Sequence, residues 1–322
     1  MKEVSFIRQN IEKWKSLEKI VDHASAHNPG ELADAYTEIT TDLSFSRAHY
    51  PKSRITIYLN NLASALHNQL YKNKKEKYSR FITFWTHEIP EVMYRSQREL
   101  LYSFLVFTLS VLIGVLSAVN DESFVRLILG NGYVDMTLNN IESGDPMGVY
   151  DTSGELPMFL RIVFNNIGVS FRAFAMGILT GFGTGFILFF NGVMVGSFQT
   201  FFFQHQVGWE SVLTIWLHGT FEISAIIIAG AAGFALGNGW LFPGTYSRKY
   251  AFLQGAKRGL KIITGLIPVF IVAGFIESYL TRHTEYPVFI RLSIILFSLI
   301  CVICYYIILP QLRHNGKSKK QN

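Results

Sequence analysis

The run from Trp216 to Gly237, WLHGTFEISAIIIAGAAGFALG, constrains this chain more than any other stretch. It is apolar enough to cross a bilayer, whose hydrocarbon core of roughly 30 Å takes about 20 helical residues. Yet it carries His218 and Glu222, four residues apart and therefore on one helical face. Ionisable groups inside a span are expensive, so that face is expected to meet protein, water or a substrate rather than lipid. Ala225, Ala229 and Gly233 continue at intervals of four, a ladder of small residues that lets another helix approach closely. The helix should be polar toward one end of this face and flat toward the other.

Similar apolar runs recur along the chain. With 49% hydrophobic residues gathered into such runs and a mean hydropathy of +0.25, an ordinary soluble fold is excluded. The net charge of +6 does not point to nucleic acid, because the Lys and Arg residues flank the apolar runs as cytoplasmic loops do. The N-terminus, MKEVSFIRQNIEKWK, lacks the pattern of a cleaved signal, so insertion is expected to rely on internal spans. Cys301 and Cys304 lie within an apolar run and read as small, buried core residues rather than a redox or metal pair.

The expected architecture is all-α: an integral membrane bundle of about six transmembrane helices with an N-terminal cytoplasmic helical region. Residues 1–98 form that region. Ile7, Ile11, Trp14, Leu17 and Val21, then Leu32, Tyr36, Ile39 and Leu43, then Leu59, Leu62, Leu66 and Leu70 recur at helical spacing. Phe81, Phe84, Trp85, Ile89 and Met93 add an aromatic helix, interrupted by Pro90, expected to lie in the membrane interface. The transmembrane domain covers 99–310, and 311–322 is a basic tail.

The spans are expected at about Leu101–Val119, Phe171–Phe190, Val193–Phe203, Trp216–Gly237, Ile262–Leu280 and Val288–Leu309. Gly177, Gly181 and Gly185 form a second packing ladder in the second of these, and Asn191-Gly192 marks a turn after it. Before the first span lie Lys72, Lys74, Lys75, Lys77, Arg80, Arg95 and Arg98; after it, residues 120–158 are acidic, with Asp121, Glu122, Asp135, Glu142, Asp145, Asp151 and Glu155. Arg248, Lys249, Lys257, Arg258 and Lys261 precede the fifth span. This pattern puts both termini in the cytoplasm and the acidic loop outside.

At membrane depth the candidates for ligand binding or proton relay are His218, Glu222, Glu277, Arg172 and the pair Asn165-Asn166. A zinc site needs three or four ligands. The HxxxE spacing supplies two, and a third would have to be Glu277 or His205, so no metal and no cofactor are assigned. No GxSxG and no paired aspartates in the spans point to a hydrolase, and no catalytic residue is assigned. The alternative to a functional site is an interhelical knot of His218–Glu222–Asn or Glu277–Arg172 that fixes packing.

NNIGVSFRAFAMGILTGFGT near the second span, NGVMVG after it, HGTFEISAIIIAGAAGF in the fourth and AGFIESYLT in the fifth resemble the stage II sporulation protein M family of polytopic membrane proteins. The resemblance implies a multispanning inner-membrane protein whose namesake joins a complex with cell-wall hydrolases. The long N-terminal region here departs from the short namesake, so no sporulation role is carried over. The leading expectation is a non-enzymatic scaffold or organiser of a cell-envelope complex, with membrane lipids, other envelope proteins and a second copy of itself as partners. The alternative is a proton-linked transporter or flippase using the cluster of His218, Glu222 and Glu277. An intramembrane metal-dependent hydrolase is a third reading.

Overall fold

The computed structural model describes residues 2–22, 29–70, 78–148, 154–282 and 286–318. Lys72, Lys74, Lys75, Lys77, Asp151 and the tail from Lys319 lie outside the described residues, as do residues 283–285. Every regular element among the described residues is helical, as composition and periodicity require. The chain divides into two compact units, Met1–Arg80 and Phe81–Asn322.

The first unit is built from α1 (Glu3–Asp22), α2 (Pro29–His49) and α3 (Arg54–Leu70). The residues recurring at helical spacing form its core: Trp14, Ile39, Leu59 and Leu66 are fully buried. The Trp14 indole N–H still needs an acceptor there. It donates to Asp42 Oδ2 at 2.8 Å, and the same oxygen pairs with Lys13 at 2.6 Å.

The second unit begins within α4 (Tyr78–Thr83), which is followed by a π turn at Phe84–Glu88 and by α5 (Ile89–Arg95). Pro90 is accommodated at the start of α5, where a missing N–H costs least. Ile89 and Met93 are fully buried against Ile262, Leu266 and Phe270. The aromatic segment therefore packs into the membrane unit instead of only lying on its surface.

Five helices are long and apolar enough to cross a membrane: α6 (Gln97–Asn120), α10 (Phe182–Gln204), α11 (Gly208–Leu241), α12 (Arg248–Phe275, extended by a π turn to Leu280) and α13 (Val288–Ile303, continuing through a π turn into α14, Leu309–Ser318). A sixth long helix, α9 (Glu155–Ala175), is less apolar because it carries Arg161, Asn165, Asn166 and Arg172. Between α6 and α9, the short helices α7 (Glu122–Leu129) and α8 (Asn131–Glu142) are tied together by Arg126 and Asp135 at 2.7 Å. α11 is the central helix and packs against α6, α9, α10, α12 and α13.

The second and third spans expected from sequence are corrected. The run Phe171–Phe190 crosses the end of α9, a short 3₁₀ turn at Met176–Ile178 and a break at Thr180 and Gly181, both with positive φ (56° and 80°). Gly181 tolerates that left-handed geometry at the N-cap of α10. The following run, with Asn191-Gly192 and Val193–Phe203, is one continuous helix. Asn191 Nδ2 bonds back to the Ile187 carbonyl at 2.8 Å, and Gly192 lies against Ser110 and the Phe107 carbonyl of α6. That dipeptide is a helix crossing, not a turn.

The glycine ladder of this region is correspondingly split. A side chain on Gly177 would collide with the Gly233 carbonyl of α11, and one on Gly181 would crowd Phe234, whereas one on Gly185 would meet nothing. The ladder on α11 does pack: Ala225 and Ala229 are fully buried, and Gly233 lies against Thr184 and the Ala173 carbonyl. The two free cysteines are not core residues either. Cys304, at the start of the π turn after α13, is exposed and Cys301 half-buried, because this long helix presents most of its apolar surface outward.

Candidate functional site

Three elements converge on one spot. α11 supplies His218 and Glu222 one turn apart, α9 supplies Asn166, and the π turn at Ile276–Leu280 supplies Glu277 with Thr281 just beyond it. π turns insert one residue into a helical turn and are frequent where a helix must present a functional group. Here the turn brings Glu277 to the face of α11, a placement that no sequence spacing specifies. One ligand-type atom from each of His218, Glu222 and Glu277 lies within 4.8 Å of the other two.

The hydrogen bonds fix how these groups point. Asn166 Nδ2 donates to Glu222 Oε1. His218 Nδ1 lies 3.0 Å from the Thr281 hydroxyl, and that hydroxyl donates to the Ile276 carbonyl at 3.2 Å. A hydroxyl has one proton to give. With that proton on Ile276, the Thr281 oxygen accepts from His218 Nδ1–H, and the imidazole turns its Nε2 lone pair toward Glu277 Oε1 at 3.9 Å. His218 is 4% exposed, so this orientation is held by packing as well.

The cluster lines a cavity of about 540 Å³. Phe107, Val195, Phe198, Ile215, Ile223 and Ile226 contribute apolar walls, and Ile128 and Leu129 of α7 and Tyr133 of α8 also line it. Burial pushes the Tyr133 phenol up, so it stays a neutral hydroxyl in this lining. Asn191 and Gln199 add polar atoms to the lining. Gln199 is held by Ser211, to which it donates at 2.7 Å, and by the Trp216 indole N–H, from which it accepts at 3.1 Å.

Of the residues singled out in the sequence, the structure brings His218, Glu222, Glu277 and Asn166 together; Asn165 lies on the cavity lining. Arg172 does not join them. It lies exposed near the end of α9, so a Glu277–Arg172 knot is not formed. His205 is also elsewhere, its Nδ1 2.8 Å from the Phe201 carbonyl. Thr281 and Gln199 were missed; a hydroxyl or an amide in an apolar run carries no signal until the fold supplies its partner.

A family model described as Stage II sporulation protein M matches residues 103–282, more than half of the chain. The chain belongs to that family. The matched stretch contains Asn166, His218, Glu222, Glu277 and Thr281, together with the whole cavity lining. Residues 4–72, which hold the three-helix unit, match a family described as a domain of unknown function (DUF8413). An uncharacterized protein of the archaeon Methanocaldococcus jannaschii, MJ0706, is 27% identical over 199 residues, covering 60% of this chain and 86% of that protein. No solved structure matches the chain.

Proposed function

We propose that this membrane protein binds an amphipathic, lipid-like substrate in the central cavity and moves it across the bilayer. The observation that carries the reading is the coincidence of one large, mostly apolar cavity with the ionisable cluster of His218, Glu222 and Glu277. A cluster that served only as a packing knot would be sealed between helices. This one lines a space large enough for several heavy atoms of an alkyl chain, and apolar pockets with a few convergent polar groups are the usual form of a ligand site. The polar cluster suits a headgroup and the walls of Ile and Phe suit a tail.

The test is lipid movement in reconstituted vesicles. Proteoliposomes carrying headgroup-distal fluorescent phospholipids, zwitterionic and anionic, are quenched from outside with dithionite. The expected result is faster loss of the inner-leaflet signal than in protein-free vesicles, slowed by Glu222→Gln or Glu277→Gln. Rates equal to those of protein-free vesicles for both lipids would remove the reading.

A second reading keeps the protein as a scaffold of an envelope complex. It is favoured by the three-helix unit, which has a core of its own and matches its own family. Under that reading Glu222→Gln leaves function in cells intact, while loss of the three-helix unit abolishes it. Either reading places both termini in the cytoplasm, on the strength of the basic residues that flank the spans.

A further inference from the structure

We propose that His218 Nε2, Glu222 and Glu277 are the ligands of a divalent transition-metal ion of the zinc class. The inference deepens the transport reading by naming what occupies the polar cluster of the cavity, but binding itself rests only on the arrangement of the ligands.

Two carboxylates within 4.8 Å of each other at membrane depth need a cation or a shared proton between them. In the tautomer in which Thr281 accepts from Nδ1–H, Nε2 is the ligating nitrogen of His218, and it lies 3.9 Å from Glu277 Oε1. One donor atom from each of the three residues lies within 4.8 Å of the other two, and a metal ion held between them would make that arrangement attractive. One imidazole and two carboxylates are a zinc-type donor set, and with two negative charges they neutralise a divalent ion.

The supporting contacts have the form expected around a metal. Ligating histidines give their other N–H to an oxygen, which fixes tautomer and ring plane, and ligating carboxylates are themselves hydrogen-bonded. Thr281 does the first for His218, and Asn166 does the second for Glu222. In a tetrahedral site with bonds near 2.1 Å the donor atoms stand about 3.4 Å apart. The three here lie within 4.8 Å of one another. Three protein ligands leave a fourth position, and the cavity is where it opens. There the ion would take water or an oxygen of a substrate headgroup.

The test uses full-length protein purified in detergent with Cys301→Ser and Cys304→Ser to remove thiol binding, stripped with a chelator and titrated with Zn²⁺ against a competing dye. The expected result is one equivalent bound, with a rise in melting temperature. His218→Gln, Glu222→Gln and Glu277→Gln should each abolish both, while Arg172→Gln should leave them unchanged. Thr281→Val, which keeps all three ligands, should weaken binding about 10–100-fold, as loss of a supporting contact does at metal sites. Should the ligand variants fail to fold, X-ray absorption at the zinc edge of the unmutated protein decides, because the site must show nitrogen and oxygen only, with one imidazole. Less than one equivalent bound, sulfur in the first shell, or folded ligand variants that bind like the parent would overturn the proposal. A vesicle assay that shows no lipid movement would not, so the two readings fail separately.

Discussion

Arg258 Nη2 donates to Glu99 Oε1 across 3.0 Å, joining α12 to α6 at the opposite end of the bundle from His218. Asn238 Nδ2 of α11 lies 3.4 Å from the same oxygen, and Arg258 Nη1 reaches the Arg95 carbonyl at 3.2 Å. One polar knot therefore ties α5, α6 and α12 to α11 near one of its ends, while the His218 cluster ties α11 to α9 and the end of α12 near the other. α11 spans about 51 Å at 1.5 Å per residue, so the two knots act as separate fixed points on one strut.

The Glu99 side chain is 9% exposed, which makes its pairing costly to break. Glu99→Ala strands the Arg258 cation and should destabilise by about 3–5 kcal/mol, in the range for removing one partner of a buried pair. Arg258→Ala should cost less, because Asn238 still donates to the carboxylate. The double variant should lose less than the sum of the two, as residues in contact do. Thermal unfolding in detergent measures all three; strictly additive losses would mean that the pair is not coupled.

Close helix contact predicts a contrast between neighbouring glycines. A methyl on Gly177 meets the Gly233 carbonyl, and one on Gly233 meets Thr184 and the Ala173 carbonyl. Gly177→Ala and Gly233→Ala should each cost about 1–3 kcal/mol, typical of overpacking. Gly185→Ala, with open space around it, should be neutral or slightly stabilising. A loss at Gly185 equal to that at Gly233 would contradict the broken ladder.

The three-helix unit gives a prediction independent of the membrane. Trp14 is fully buried and donates to Asp42. Trp14→Ala removes a large core side chain and leaves the Asp42 acceptor with one partner fewer, so a loss of about 3–5 kcal/mol is expected. Trp14→Phe should lose less, since most of the volume remains. Urea unfolding followed by circular dichroism of residues 1–80 measures this, and a cooperative transition for that fragment would also show that the unit folds on its own.

The helical class, the apolar runs and the core positions of the first unit were legible because period and hydropathy are local properties. Trp14, Ile39 and Leu66 reveal themselves by spacing alone. The breaks were less legible. Asn191-Gly192 has turn chemistry, but within a membrane a backbone not held in a helix leaves polar groups unsatisfied, so the helix continues and Gly192 serves the α6 crossing instead. The actual break at Thr180-Gly181 lies among several glycines that look equivalent in sequence. For the site, His218 and Glu222 were visible as charges in an apolar run. That Glu277 rather than Arg172 or His205 completes the cluster depends on a π turn and on which face of α9 meets α11, and neither is encoded by local spacing.

Asp121 caps α7, accepting from the Ser123 N–H at 2.9 Å and from its hydroxyl at 2.7 Å. These bonds favour the charged carboxylate and hold its pKa below the ordinary aspartate value. A group with a lowered folded-state pKa contributes stability above its unfolded pKa and loses it as pH falls through the folded value. The start of α7 should therefore be protected from hydrogen exchange at pH 5–7 and open as pH drops below about 3.9. Asp121→Ala should show the open behaviour at every pH. Protection that persists in that variant would assign the order of α7 to Val125 and its neighbours alone.

The proposed placement of the loops rests on charge and can be tested by labelling. Asp145 is exposed after α8 in the acidic connection, and Lys249 is exposed at the start of α12 in a basic one. Basic connections are retained on the cytoplasmic side. Single cysteines at these positions, in a background of Cys301→Ser and Cys304→Ser, should respond oppositely to an impermeant thiol reagent applied to whole cells. Position 145 should label at once, and position 249 only after the membrane is opened. One further helix crossing, or one fewer, between α8 and α12 would put both positions on the same side. Equal labelling of the two would therefore exclude α9 as a full crossing, since α9 is the helix on which that count depends.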